Sequence, residues 1–459
     1  MSFHRSSNET PHSSTGTGKW PAGPARRVVL LAAILLMARL PLLGHPIPVH
    51  GDENEFVAAI GFPAAYPVHH PGYPLWVALG TLLARLGLSP YASYQTWSVF
   101  ASVAAPVLLY LALRRSLVPR RSAELHGEQN AAEGLAWWTA LAFGVCPLVW
   151  FLGTTALNYS LACAVGLWIA LLCLRARHAA GHYTGEGHPS RRSLPLIQAA
   201  ALLAVALLFR PDLLLWLGPL LIWAAWQYPM RTRIGAALVL VAGLLVLLVV
   251  TGLLYGRAAE PAVTPDLRHT LDVILNTSIF RLGLIDGLAR SAVKLTAIVG
   301  WTIGLPLLIC LIGVWTAPAA AGHPILPLTA TRPACTMLLV WTAPLTAFLL
   351  LIHMSEAGHT MLLIPAAYWF MGDLLHRRLP PKRAAGFAAA MAMASILQFT
   401  TYPWSAESSG IRRILDAKVG YLSAAGLRRI DERRQIHTPG DFWKTGAHDA
   451  ESDVHDQEK

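Results

Sequence analysis

The chain has 459 residues, of which 54% are hydrophobic and 13% charged, with a mean hydropathy of +0.47. A soluble domain carries about 25% charged residues, so the composition excludes an ordinary soluble enzyme and describes a chain that lives in a bilayer. The net charge of +11 does not imply nucleic-acid binding, because most Lys and Arg residues lie in short segments between apolar runs.

A bilayer core about 30 Å thick needs about 20 apolar residues per helix, and such runs recur from end to end. The expected architecture is all-α: a multipass transmembrane bundle of about eleven spans. Residues 1–27 are polar, end in Arg26-Arg27, and read as a disordered cytoplasmic tail. The first run is long, starts late and lacks a cleavage site, so it reads as a retained span over 28–43 rather than a signal peptide. An outer loop over 44–73 follows, then a short apolar stretch at 74–88 containing Arg85, expected to lie at the outer interface. Further spans are expected over 92–113, 135–152, 159–174, 194–209, 213–226 and 234–255. After an outer segment 256–290 come spans over 292–315, 334–352, 360–375 and 384–399. The transmembrane domain is thus 28–400, with 401–459 a polar, extracytoplasmic tail.

Charge tests this layout. The inner segments hold nineteen Lys and Arg residues, and the short outer loops far fewer. The tail, with Arg412, Arg413, Arg428, Arg429, Arg433 and Arg434, is the exception, and long tails can cross regardless of charge. The five cysteines lie in or beside apolar runs without metal-ligand spacing and read as small buried hydrophobes. Trp137-Trp138 reads as an interfacial anchor.

The first outer loop carries the chemistry. Asp52-Glu53-Asn54-Glu55 stands just beyond the first span, and His69-His70-Pro71-Gly72-Tyr73-Pro74 follows. Acidic side chains at a membrane boundary are costly and read as functional. Other polar groups expected on the same side are Asn158-Tyr159, Arg210-Pro211-Asp212 at an abrupt break between two spans, and His353 to His359 with Glu356 between. Arg210 could simply pair with Asp212, and His69, His70, Tyr73 and His359 stand among these groups, with Arg281, Arg290 and Lys294 as further cations. Glu53 reads as solvated.

An Asp followed shortly by a Glu, then His-Pro-Gly-Tyr-Pro leading into a short helix, resembles the GT-C superfamily of integral membrane glycosyltransferases, closest to the protein O-mannosyltransferase-like families. Asn158-Tyr159, Arg210-Pro211-Asp212, and Gly358-His359 before Ile364-Pro365 add to the resemblance. It implies transfer of a sugar from a polyprenyl-phosphate donor to an acceptor on the non-cytoplasmic face of the cell membrane. It places Asp52 at the family's first acidic position, as general base, and Glu55 at the second, to orient the base, bind the acceptor or ligate a metal. It implies that Arg210 holds the donor phosphate bidentately, with Arg281, Arg290 and Lys294 as alternative phosphate ligands, that His69, His70 and His359 contact phosphate or sugar, and that Tyr73 stacks on sugar or lipid. No cofactor is required by this reading. A divalent cation is conceivable, since His45, His50, Asp52, Glu53, Glu55, His69 and His70 share one loop. The rival class is a multipass transporter or lipid flippase, which would line a pathway with charge at mid-depth. The spans hold few such residues, Arg39 being a boundary case.

Overall fold

The computed structural model describes residues 23–40, 43, 51–61, 73–117, 126–181, 189–255, 275, 278–317, 333–353 and 357–401. The candidates His69 and His70, Glu356, and the tails 1–22 and 402–459 lie outside them. All regular structure among the described residues is helical.

Helix α1 (Pro24–Arg39) begins inside the expected N-terminal tail, with Pro24 in the first turn, where its missing N–H costs nothing. Helix α2 (Gly51–Gly61) corrects the sequence reading, because the acidic segment is not an irregular loop. Glu53, Phe56 and Ala59 are buried at three-residue intervals, which is a helical repeat. Asp52 and Glu53 fall in its first turn, where the helix dipole favours negative charge. Helix α3 (Pro74–Arg85) is the short helix expected there, and it packs Trp76, Val77 and Gly80 inward.

Helix α4 (Pro90–Leu117) spans the whole bundle. The span expected over 135–152 is instead two helices, α5 (His126–Gly144) and α6 (Pro147–Leu152). Pro147 explains the break: it pushes the preceding residue out of the α region, and Cys146 is extended at φ −66°, ψ 147°. Helices α7 (Tyr159–Gly181), α8 (Pro189–Leu207), α9 (Leu213–Ala225) and α10 (Met230–Tyr255) follow. Next come the single turn α11 (Ile279–Leu282) and the long α12 (Leu284–Trp315). Helix α12 starts eight residues before the expected span, and so carries the buried Arg290 and Lys294 within it. Helix α13 (Pro333–Leu351) leads to a 3₁₀ turn (Ala357–Leu362), and α14 (Ile364–Arg378) and α15 (Pro381–Thr401) close the bundle.

Four of the described helices are long and apolar enough to cross a bilayer alone: α4, α7, α10 and the second half of α12. Helices α3, α8, α9 and α13 are shorter and apolar. Helix α10 lies at the margin, exposing Leu238, Leu245, Leu248, Val249 and Leu253. Between such helices lipid is as apolar as leucine, so small residues drive contact by close packing. A methyl group on Gly243 of α10 would fall 2.4 Å from the Ala204 Cβ of α8.

The bundle has two distinct ends. At one, Arg27 and Arg114 converge on Glu133 at 3.7 and 2.9 Å, and the Trp137 indole donates to the Arg27 carbonyl at 3.0 Å. At the other, Gln95 and Ser98 of α4 donate to the carbonyls of Thr154 and Leu157, both at 2.8 Å. Helix α4 joins Gln95 to Arg114 over roughly 30 Å at 1.5 Å per residue, about one bilayer core. Arg39, wholly buried, ties α1 to its neighbours: it donates to Ser102 Oγ at 2.6 Å, the Leu35 carbonyl at 3.0 Å and the Gly144 carbonyl at 2.7 Å.

Candidate active site

The end of the bundle away from Glu133 gathers most of the polar residues that the sequence singled out. Its foundation is the segment 153–158 between α6 and α7 and the break 208–212 between α8 and α9. Neither is helical, so their backbone groups need partners from elsewhere. The Asn158 side chain supplies one by donating to the Phe209 carbonyl at 3.0 Å. The Leu75 N–H, at the start of α3, supplies another by donating to the Leu208 carbonyl at 2.9 Å.

Arg210 sits at the centre of this foundation. It is 5% exposed. Its Nε lies 3.1 Å from both oxygens of Asp212, and its Nη1 donates to Asn158 Oδ1 at 3.0 Å. The guanidinium carbon stands 4.2 Å from the Tyr159 ring centre and 5.5 Å from that of Trp216, within cation–π range. Burial works against its charge, but Asp212 and Tyr159 outweigh it and raise the guanidinium above its ordinary value. The result is a fixed buried cation. A guanidinium has five N–H donors, and the bonds to Asp212 and Asn158 use two of them.

Glu53 is the second buried charge here, with no exposed surface. This corrects its reading as a solvated residue. Its Oε1 accepts the Ala156 N–H at 3.2 Å, and Tyr91 donates to Oε2 at a long 3.5 Å. Three residues further along α2, Phe56 meets the Tyr73 ring edge-on at 5.6 Å, and Tyr73 lies within electrostatic reach of Arg210. The contacts therefore form a chain: Glu53 to the 153–158 segment, and Asn158 of that segment to Arg210, with Tyr73 packed on α2 through Phe56.

His359 meets the Tyr159 ring edge-on at 5.8 Å, and His353 packs against His359 at 5.3 Å. Gly358 makes this possible, since a Cβ there would lie 2.3 Å from the Tyr159 ring. Of the candidates named from sequence, Tyr73, Arg210 and His359 thus share one locus. Glu55 is half-buried on α2, and Asp52 is the second residue of that helix. Arg281 is exposed on α11. Among the described residues no three His, Cys, Asp or Glu side chains converge as a metal site. Sequence reasoning missed Tyr91 and Trp216 altogether. A Tyr at the start of a span gives no local signal of its partner.

Residues 52–229 match the family model described as the protein O-mannosyl-transferase TMEM260 N-terminal domain. The match opens at Asp52 and takes in Glu53, Tyr73, Asn158, Tyr159, Arg210 and Asp212. Two crystal structures of ArnT from Cupriavidus metallidurans share the fold. The one bound to undecaprenyl phosphate superposes with a TM-score of 0.52 and the apo one with 0.53. Both are 16% identical to this chain and cover 91% of it, and the chain covers 74% and 73% of theirs.

The chain shares the fold of these ArnT structures, and at this identity the likeness is one of fold alone. The O-mannosyl-transferase match rests on sequence and falls on the part of the bundle that builds the Arg210 site. No curated protein matches the chain.

Proposed function

We propose that the protein transfers a sugar from a polyprenyl-phosphate donor to an acceptor hydroxyl at the non-cytoplasmic face of the membrane. The observation that carries this reading is the buried, fixed cation Arg210, linked through the 153–158 segment to the acid-bearing helix α2. A phosphate leaving group needs a preorganised positive charge where its own charge develops. An acceptor hydroxyl, with a pKa far above 7, needs a base. The ArnT structure bound to undecaprenyl phosphate is consistent with a lipid phosphate as donor group on this fold.

In the proposed step, Asp52 takes the acceptor proton as the acceptor oxygen bonds to the anomeric carbon. The bond from that carbon to the phosphate oxygen breaks, and its electron pair leaves with the polyprenyl phosphate, which Arg210 holds. Glu55, one helical turn from Asp52, orients the base or the acceptor. Tyr73, His359, His69 and His70 are assigned to the donor phosphate or sugar. The site lies at the end of α4 opposite the Arg27–Arg114–Glu133 cluster. By the positive-inside rule that cluster faces the cytoplasm and the site faces away from it.

The test is transfer by purified protein in detergent or liposomes, supplied with polyprenyl-phosphate-linked labelled sugar and a cell-envelope acceptor fraction. The reading expects label on the acceptor and release of polyprenyl phosphate. A transporter or flippase expects movement of the intact lipid-linked sugar without either.

A further inference from the structure

Glu53 is absorbed by none of the roles assigned above. It has no exposed surface, so it cannot meet an acceptor hydroxyl. A buried carboxylate is costly unless its oxygens are satisfied. Its carboxylate bonds different parts of the bundle, the Ala156 N–H in the 153–158 segment and the Tyr91 hydroxyl at the start of α4. Two residues beyond Ala156, Asn158 holds Nη1 of Arg210 at 3.0 Å. Only two hydrogen bonds and a two-residue step therefore separate Glu53 from the cation, and Asp52 is the residue just before Glu53. The Phe56–Tyr73 contact braces the same buried face of α2 one turn further on.

We propose that Glu53 is a positioning residue that locks α2 onto the 153–158 segment and so fixes the separation between the base on α2 and Arg210. This rests on the glycosyltransferase reading above. The anchor works through hydrogen bonding and not through proton transfer. Glutamine at 53 keeps it: its Oε1 accepts from Ala156, and its Nε2 donates to the Tyr91 oxygen. Alanine removes it, and aspartate, one methylene shorter, cannot span both partners. Displacement of about 1 Å at a reacting centre costs on the order of a hundredfold in rate, whereas the cation that binds donor stays in place through Asp212.

The experiment compares Glu53→Gln and Glu53→Ala in the full-length protein, by steady-state transfer kinetics and by amide hydrogen exchange. For Glu53→Ala, kcat should fall about ten- to a hundredfold with donor KM within about threefold of wild type. Exchange over 153–158 and α2 should rise. Glu53→Gln should recover most of kcat and show wild-type exchange. Glu53→Gln as inactive as Glu53→Ala would make Glu53 itself a proton acceptor and overturn the proposal. Unchanged kcat in Glu53→Ala would overturn it too, as would a kcat loss explained by the folded fraction alone. The exchange arm reads the anchor whether or not wild type transfers sugar. Absence of transfer with faster exchange in Glu53→Ala would count against the enzymatic reading and not against the anchor, and unchanged exchange would remove the anchor itself.

Discussion

Arg210 and Asn158 are 52 residues apart in sequence and meet through a hydrogen bond of 3.0 Å from Nη1 to Oδ1. The same Asn158 amide donates to the carbonyl of Phe209, the neighbour of Arg210. One side chain thus satisfies a guanidinium and a buried backbone acceptor at once. It pins the turn before α7 to the break before α9, and gives the buried cation a fixed place at one end of the bundle.

Arg210→Lys should weaken donor binding. Lysine keeps the charge but loses the planar fork that holds Asp212, Asn158 and a phosphate together. A hydrogen bond to a charged group contributes about 1.5–3 kcal/mol, so donor KM should rise about ten- to a hundredfold. The control is Glu133→Gln, which weakens the pairs with Arg27 and Arg114 at the other end of the bundle. It should lower thermal stability and leave donor KM unchanged. Titration with polyprenyl-phosphate sugar checks both. An Arg210→Lys variant with wild-type donor KM would remove Arg210 from the phosphate.

Gly358→Ala should disturb the ring beneath Arg210. Its new methyl would lie 2.3 Å from the Tyr159 ring, and Tyr159 stacks on the guanidinium at 4.2 Å. Overpacking of this kind costs about 1–3 kcal/mol. A lower melting temperature and a raised donor KM are expected together. Wild-type values for both would show that Tyr159 and the 3₁₀ turn are free to separate.

The two ends of the bundle should label from opposite sides. Asn54 is exposed on α2, and Lys382 is exposed at the start of α15, beside Arg377, Arg378 and Arg383. Cysteine at 54 should react with an impermeant thiol reagent in intact cells, and cysteine at 382 only after permeabilisation. Labelling of both from one side would invert the site relative to the membrane.

Much of the fold was legible, because it rests on apolar run length and on proline and arginine punctuation. The spans at 213–226 and 234–255 correspond to α9 and α10 within a few residues. The expected span at 135–152 failed at Cys146-Pro147, where the apolar run hides a helix break that proline chemistry alone would have shown. Helix α2 was missed because its apolar run, residues 56–60, is only five residues long and stands behind four polar residues. Arg210, Tyr73 and His359 were legible as candidates because breaks and turns concentrate polar groups in an apolar chain. Glu53 was misread for a different reason. Whether a carboxylate is solvated or buried depends on Ala156, 103 residues away, and no local pattern carries that information.

The most direct measurement is steady-state kinetics of Asp52→Asn against wild type, with polyprenyl-phosphate sugar and acceptor varied separately. Asparagine keeps size and hydrogen bonding but cannot take the proton. A general base contributes about 10²–10⁴ to the rate, and it acts on the acceptor in the transition state and not on bound donor. The account predicts a kcat loss of that order with donor KM close to wild type and a folded, membrane-inserted protein. Near-normal turnover in Asp52→Asn, or no sugar transfer by wild type under saturating donor, would contradict it.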